Sequence, residues 1–411
     1  MPVSGNFLRN RWLIVIVAGV IMGAALGVRH VQGLFLQPVV ATQGWSRESF
    51  GIALAIQNLV WGVAQPFTGM VADRFGSAKV LFAGMLMYAL GLLLMSNSTT
   101  PVAFSLSNGV LIGIALSGSA FSTVYGALSR IFSDEQQRVW ALAVAGGLGG
   151  LGQFCMVPFA QQLIGSMTWQ GSAIALCVMM LALAPLSVVL RDLHSRREAR
   201  VLVGEQISMV AAIRQAFHHR GFWQLNLGFT ACGFQLAFIA THMPAYLIDK
   251  GLSIQQAGAT LAVIALANVF GTYACARLGG RWPARRVLSA LYAIRVLAIV
   301  GFLLIPVTPA SAYLFSAIMG FLWLGTVPLT NRVVAQIFGV RYIATLFGFV
   351  FLGHQLGGFV GVWMGGWVYD HYRSYDLLWM GAIALGLVAA VVHWPIDDRP
   401  LALPTLAKGG T

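Results

Sequence analysis

Long apolar runs separated by short polar breaks dominate this chain. Each run is long enough to cross the hydrocarbon core of a bilayer, which requires about 20 residues of α-helix. The runs cover residues 12–36, 48–71, 80–96, 101–129, 139–164 and 170–190, and then 221–247, 256–278, 286–306, 310–331, 343–368 and 375–394. A backbone in lipid must satisfy its own hydrogen bonds, and helices do so within each segment. The pattern therefore predicts an all-α membrane protein with twelve transmembrane helices.

The longest polar gap divides these helices into six and six. We predict an N-terminal six-helix bundle at 1–191, a linker at 192–220, a C-terminal six-helix bundle at 221–395 and a tail at 396–411. Within the linker, 207–217 is mildly amphipathic, which suits either a helix on the membrane surface or a solvated connection.

Composition and charge support the membrane interpretation. Hydrophobic residues make up 58% of the chain and charged residues only 9%, against about a quarter in soluble domains. The net charge of +13 does not indicate a nucleic-acid partner, because the basic residues lie in the gaps between apolar runs. Twenty of the 25 Lys and Arg fall on one side of the predicted topology, and only Arg47, Lys250 and Arg373 fall in the opposite loops. The positive-inside rule then predicts cytoplasmic termini, in a bacterial inner membrane.

The two halves repeat one another. Pro38 and Pro244 are predicted to close the first and seventh helices, and Gly44 and Gly251 precede the second and eighth. A glycine- and arginine-containing loop follows the second helix of each half, at 69–79 and 276–286. Repeated halves of this kind place a substrate site near the middle of the bilayer, between the halves.

The first of these loops carries a family resemblance. Its residues Gly69, Asp73, Arg74 and Gly76 resemble the loop signature of the major facilitator superfamily. The resemblance implies two pseudo-symmetric six-helix bundles and gradient-driven transport by alternating access. It also implies that these four residues form a conformational latch, with Asp73 facing the positive N-terminal dipole of the eleventh helix. The alternative is an ordinary polar turn.

Three shorter segments are similar to a bacterial branch near the monocarboxylate and oxalate–formate carriers. They are Gly-Val-Arg-His-Val-Gln-Gly-Leu-Phe in the first helix, Gly-Trp-Ser-Arg before the second and His-Gln in the eleventh. Those relatives commonly carry a cation in the eighth helix, and the oxalate carriers a lysine in the eleventh. This chain has Asn268 and His354 in roughly those places.

Charged groups inside the membrane are few, and all are basic or histidine. All twelve acids lie in loops or at helix ends, whereas Arg29, His30, His242, Arg295 and His354 are embedded. An embedded charge costs about 2.5–3.5 kcal/mol even on insertion scales, so it usually faces the protein interior. We expect structural roles for His30 and Arg295 and leave His242 open between an interfacial and a functional role.

Arg29 lies in a helix that lines the cavity in the superfamily and offers a two-pronged donor to a carboxylate. His354 is predicted either to bind substrate or carry a proton, or to make an interhelical hydrogen bond. The predicted substrate-binding set is Arg29, Gln57, Asn58, Tyr125, Gln153, Gln235, Asn268, Thr326, His354 and Gln355.

These residues predict a carrier for a small organic anion, with a monocarboxylate as the favoured class. Transport would be proton-coupled or by exchange, and the alternative is efflux of amphipathic or drug-like compounds. A receptor that no longer transports is a third possibility. The four cysteines lie within apolar runs without paired spacing, so we expect neither a disulfide nor a metal. The sequence also shows no catalytic triad or ATP-binding domain, so we expect no cofactor and no enzymatic activity. We expect a monomer whose partners are the substrate, protons and the bilayer.

Overall fold

The structure is a computed structural model that describes residues 10–132, 134–191, 209–339 and 343–401. Within these residues, twelve helices are long and apolar enough to cross a membrane, and no strand occurs. The predicted all-α class and the number of spans are therefore confirmed. The helices of the first half are α1 (Arg11–Gln43), α2 (Arg47–Phe75), α3 (Ser77–Ser96), α4 (Pro101–Ile131), α5 (Glu135–Ser166) and α6 (Trp169–Leu190). Those of the second half are α7 (Arg220–Asp249), α8 (Ile254–Arg281), α9 (Ala284–Leu304), α10 (Pro309–Phe338), α11 (Ile343–Tyr372) and α12 (Asp376–His393).

A short helix, Met209–His218, precedes α7 and buries Ala212 and Ala216. It coincides with most of the amphipathic segment of the linker. Residues 192–208 lie outside the described part of the chain, so the domain boundaries placed around the linker stay a prediction.

Pro38 and Pro244 do not end their helices, and that prediction was wrong. α1 passes through a 3₁₀ turn at Val31–Phe35 and continues as helix Leu36–Gln43, whereas α7 contains Pro244 within its length. A proline removes one backbone donor and crowds one carbonyl, and the 3₁₀ turn before Pro38 relieves that crowding. The chain stops where glycine takes up left-handed backbone, at Gly44 (φ 67°) after α1 and at Gly251 (φ 94°) after α7.

The fourth helix of each half is interrupted. α4 contains a π-helical segment, Ser105–Leu111, and a break at Ala120, and α10 is split into Pro309–Phe321 and Thr326–Phe338. The breaks thus occur in corresponding helices of the two halves. In many transporters, interrupted helices of this kind form the substrate-binding site.

Arg295 on α9 stabilises the interruption in α10. Its Nη2 donates to the carbonyl oxygens of Leu322 (2.5 Å) and Trp323 (2.6 Å), and its side chain is fully buried. The Leu324 amide donates to Asn268 Oδ1 on α8 at 3.0 Å. The backbone groups freed by the break are therefore satisfied by neighbouring helices, as a membrane interior requires.

Candidate functional site

The two ends of the helical bundle differ in how the halves meet. We call the end that holds the start of α1 and the region joining α6 to α7 the linker side, and the other end the opposite side. Pairs of helices from different halves, α1 with α7, α2 with α11 and α5 with α8, form the boundary between the halves.

On the opposite side an ion pair joins the halves. Arg47, the first residue of α2, donates through Nη1 and Nη2 to both carboxylate oxygens of Asp249 at the end of α7, at 2.7 and 2.8 Å. Its guanidinium lies 3.6 Å from the centre of the Tyr369 ring, and Nη1 also donates to the Tyr375 hydroxyl at 2.9 Å. Two-pronged pairs of this kind are among the stronger polar contacts in proteins.

A second carboxylate strengthens this closure. Asp370, near the end of α11, accepts the backbone N–H groups of Arg47 (3.2 Å) and Glu48 (2.7 Å). It thus caps the N-terminus of α2 from the other half, where a negative charge is favoured by the helix dipole. We call Arg47, Asp249 and Asp370 the opposite-side lock.

Close helix approach extends the contact below the lock. A Cβ at Gly51 would lie 2.9 Å from the Val362 carbonyl oxygen, and one at Gly366 would lie 2.6 Å from the Glu48 Cα, so α2 and α11 touch through their backbones. Gln161 on α5 donates to the Gln255 carbonyl of α8 at 3.1 Å. The halves are therefore tightly apposed on the opposite side.

The linker side is different. A Cβ added at Gly69 on α2 would meet nothing within 4 Å, and Phe67 and Met70 are 60% and 59% exposed. Gly69 thus lies on an exposed part of α2, and Gly76, which follows the last residue of α2, has left-handed backbone (φ 93°). The side chain of Asp73 lies outside the described residues, so its predicted partner stays a prediction. Within the described residues, close contact between the halves is therefore seen on the opposite side.

Arg29 and Asn58 meet where the apposed region ends. Arg29 Nη2 donates to Asn58 Oδ1 at 2.8 Å, and a Cβ at Gly358 on α11 would lie 3.4 Å from Asn58 Nδ2. The pair therefore bridges α1 and α2 and lies against the other half. Three buried donors near this junction, Arg29 Nε, Asn58 Nδ2 and Gln355 Nε2, have no partner among the described residues. Unpaired buried donors are costly unless a ligand or water completes them.

The adjacent Gln57 belongs to a separate polar group within the first half. Its Nε2 donates to the Asn108 carbonyl (2.7 Å) and approaches Gln32 Oε1 (3.2 Å). Gln32 and Asn108 were missed in the sequence analysis. Both lie in apolar runs, and their depth alone does not reveal that they meet.

His354 and Gln355 lie on α11 facing the same junction. His354 Nδ1 is 3.0 Å from Gln355 Oε1, and the ring stacks on Phe351 and packs against Phe229 of α7. A Cβ at Gly62 on α2 would lie 2.8 Å from Gln355 Cβ, so Gln355 contacts the first half directly, whereas the ring contacts of His354 lie within the second half.

Three predicted residues of the second half are engaged inside that half. Gln235 donates to the Ala382 carbonyl of α12 at 2.8 Å, and Thr326 Oγ1 lies 3.4 Å from the Cys232 sulfur. Asn268 supports the α10 break, as described above. The structure does not bring these three side chains to the Arg29 pair, although the sequence analysis placed them with Arg29 in the predicted substrate-binding set.

The two remaining predicted residues lie in the first half. The Tyr125 hydroxyl on α4 packs against Gly146 of α5, and Gln153 is 7% exposed on α5. Within the described residues, neither side chain is hydrogen-bonded to Arg29 or Asn58.

The two embedded histidines outside the predicted set bond to backbone carbonyls across helix boundaries. His30 Nε2 pairs with the Leu261 carbonyl of α8, and His242 Nε2 with the Val362 carbonyl of α11, each at 2.9 Å. His242 is fully buried within the protein and its Nδ1 lies 3.4 Å from the Tyr375 hydroxyl.

The geometry defines a polytopic membrane protein whose two six-helix halves close around a central polar junction on one side. The Major Facilitator Superfamily model matches residues 10–362, and the chain belongs to that family. Within the part of the chain that the structure describes, no group of three or more potential metal ligands occurs.

Similar proteins include, by name, a monocarboxylate transporter, an uncharacterized transporter and a multidrug resistance protein. The chain is 27% identical to monocarboxylate transporter 13 of Bos taurus, over 96% of this chain and 92% of that one. It is 24% identical to the uncharacterized MFS-type transporter YcxA of Bacillus subtilis (97% and 98% covered) and 24% identical to the multidrug resistance protein MdtH of Yersinia pestis (96% and 95%).

Solved structures show the same fold. The nucleoside transporter NupG superposes with a TM-score of 0.76 at 13% identity, covering 93% of this chain and 98% of that one. A bacterial homolog of the human lysosomal transporter Spinster, in an inward-facing occupied conformation, superposes with a TM-score of 0.71 at 14% identity, covering 97% and 99%.

Proposed function

We propose that this protein moves a small organic anion with a single carboxylate group across the bacterial inner membrane by alternating access. The observation that carries the proposal is the Arg29 guanidinium, whose side-chain partner is the neutral Asn58 amide. An embedded arginine without a carboxylate partner has capacity for an anionic ligand.

The neighbouring donors fit the same ligand. Arg29 Nε, Asn58 Nδ2 and Gln355 Nε2 are all N–H groups, and they come from both halves. A carboxylate has two oxygens and about four acceptor positions, so it can satisfy several of these donors together. Contacts from both halves are what a substrate needs in order to couple its binding to their relative movement.

The substrate class is narrowed by the second embedded arginine. Arg295 is occupied by two carbonyl oxygens of α10 and by the Cys232 sulfur at 3.2 Å. One available cation favours a monocarboxylate over a dicarboxylate. The name of the bovine relative, monocarboxylate transporter 13, agrees with that class.

The linker side is proposed to face the cytoplasm, because most basic residues lie there. The conformation would then be inward-facing, with the opposite-side lock closed toward the periplasm. In the outward-facing conformation, the second half would contact the proposed latch, Gly69, Asp73, Arg74 and Gly76.

Proton coupling is proposed to involve His354. Histidine is the side chain that ordinarily changes charge between pH 5 and 8, and His354 Nδ1 is oriented by Gln355 Oε1. In proteoliposomes, His354→Gln should preserve exchange between two loaded sides and abolish uptake driven by a pH gradient. Intact pH-driven uptake would show that the proton travels elsewhere or with the substrate.

Anion recognition is tested by thermal unfolding of purified protein with a panel of acetate, lactate and benzoate. A ligand at 100 times its Kd stabilises the folded state by about 2.7 kcal/mol, so binding should raise Tm. Arg29→Gln should remove that rise in Tm. Arg29→Lys should retain part of it, because lysine keeps the positive charge but cannot make the bidentate hydrogen bonds of a guanidinium. The exposed Arg286→Gln is the control and should behave as wild type.

The alternative is efflux of amphipathic compounds, which the similarity to MdtH suggests. In that case neutral or cationic compounds would raise Tm equally in wild type and Arg29→Gln. That result would contradict the anion proposal.

A further inference from the structure

A cavity of about 380 Å³ lies on the opposite side, beyond the lock. Its lining includes Asp249, Lys250, Tyr369, Arg373 and Asp376. Asp249, the partner of Arg47, forms part of its wall, and the apposed helices below the lock separate it from Arg29. We call this cavity the vestibule.

Two basic side chains of the vestibule are not neutralised. Lys250 Nζ lies 5.6 Å from the centre of the Tyr246 ring, and Arg373 Cζ lies 6.0 Å from that of Tyr369. Within the described residues neither side chain makes a hydrogen bond or an ion pair. They are two of the three basic residues that the sequence places on the opposite side, and the third, Arg47, binds Asp249 of the lining.

The carboxylates of the vestibule have other compensation. Asp249 is held by both terminal nitrogens of Arg47, and Asp376 lies in the first turn of α12, where the helix dipole favours a negative charge. Lys250 and Arg373 therefore remain available to an incoming anion.

The backbone at Arg373 gives independent support. Its φ of 53° is the only positive value of a non-glycine residue in the described chain, and its N–H donates to the Tyr369 carbonyl at 2.8 Å. Glycine ordinarily occupies such a position at the end of a helix. The surrounding structure holds this conformation, and it places the Arg373 side chain in the lining of the vestibule.

We propose that the vestibule is a binding site for small carboxylate anions, formed by Lys250 and Arg373 and separate from Arg29. An anion held there lies next to the lock, so it is concentrated at the point where the closed side must open. Within the described residues, Lys250 and Arg373 outnumber Asp376, the one carboxylate of the lining without an ion-pair partner, and an excess of one sign of charge in a cleft raises the local concentration of ions of the opposite sign.

The first test measures the local charge with a thiol probe. Ser374→Cys lines the vestibule and would be introduced into a Cys155→Ser background, because Cys155 is the exposed native cysteine of the described chain. The labelling rates of sulfonatoethyl and trimethylammonioethyl methanethiosulfonate are compared in phosphatidylcholine nanodiscs. Adding Lys250→Gln and Arg373→Gln should lower the ratio of the anionic to the cationic labelling rate by about tenfold. In the protein that keeps Lys250 and Arg373, acetate should slow labelling by the anionic reagent.

The matched control is Arg286→Gln, which removes an exposed cation whose guanidinium lies 5.7 Å from the Trp394 ring on the linker side. Its labelling ratio should not change. An unchanged ratio in the Lys250/Arg373 variant, or no protection by acetate at constant ionic strength, would overturn the proposal. Loss of the anionic preference when phosphatidylglycerol replaces phosphatidylcholine would assign the cations to lipid headgroups and would also overturn it.

The second test uses sidedness and rests on the proposed transport of carboxylates. In oriented proteoliposomes, the Lys250→Gln/Arg373→Gln variant should raise the KM for acetate supplied to the opposite side severalfold, with kcat unchanged. KM for acetate supplied to the linker side should stay at the wild-type value. Equal KM changes on both sides would contradict the vestibule site. If the protein transports no carboxylate at all, the proposed function is refuted, and the vestibule site is then judged from the labelling experiment alone.

Discussion

Removing one partner of the opposite-side lock should shift the carrier toward the state open on that side. Asp249→Asn keeps the shape and one carbonyl oxygen but removes the charge that holds Arg47. Breaking an exposed ion pair costs about 0.2–1 kcal/mol, and breaking a buried one costs about 3–5 kcal/mol. The side chains of Arg47 and Asp249 are 8% and 28% exposed. We therefore expect a loss of about 2 kcal/mol from the closed state, which multiplies the open-to-closed ratio by about 30.

The change in population is measurable by double electron–electron resonance, which reports the distance between two spin labels. The labels would be attached at Ala41→Cys and Gln255→Cys. Both positions are exposed and lie at the opposite-side ends of α1 and α8, one in each half. In the Cys155→Ser background, wild type should give one short distance. Asp249→Asn should add a longer distance, because the two helix ends separate when the lock opens.

Asp376→Asn is the matched control, since it removes a carboxylate from the same cavity without touching Arg47. The double variant Arg47→Asp/Asp249→Arg should recover part of the short distance. Identical distance distributions in wild type, Asp249→Asn and Asp376→Asn would refute the role of the ion pair in closing this side.

Arg295→Gln should lower the yield and Tm of the folded protein, because it leaves the Leu322 and Trp323 carbonyls without this donor, at about 1–3 kcal/mol for each unsatisfied buried group. A Tm in detergent equal to wild type would contradict this. Asp73→Asn should leave expression near normal but slow transport, since it weakens one conformation of the proposed latch; unchanged uptake rates would show that the motif has no such role here. Cysteine introduced at Asn97 should react with an impermeant reagent from outside whole cells, and cysteine at Ser195 only after permeabilisation. The reverse pattern would invert the proposed orientation.

Much of the fold could be predicted from the sequence, because apolar length is set by bilayer thickness and does not depend on tertiary contacts. The interruption of α10 could not. The sequence Leu-Trp-Leu-Gly at 322–325 is as apolar as its flanks, and its break is supported by Arg295, which belongs to another helix. Pro38 misled the prediction for the opposite reason, since a local helix breaker was accommodated by a 3₁₀ turn.

The candidate site was predicted in part. Depth along a helix identified Arg29, Asn58 and Gln355, but depth does not specify the direction of a side chain around the helix. Gln235 has a suitable depth and nevertheless turns to the Ala382 carbonyl of α12. The lock was missed because Arg47 and Asp249 lie in different loops, and their pairing exists only once the halves meet.

The most direct test of carboxylate recognition by Arg29 is the carboxylate-induced rise in Tm of Asn58→Asp. This change places a carboxylate where the Asn58 Oδ1 now lies, 2.8 Å from Arg29 Nη2, so the arginine acquires a permanent internal partner. Asn268→Asp is the control, because it makes the same change on α8 at the α10 break. The account predicts that acetate, lactate or benzoate raises the Tm of wild type and Asn268→Asp but not that of Asn58→Asp. An equal rise in Asn58→Asp, or no rise in wild type with any of the three anions, would contradict it.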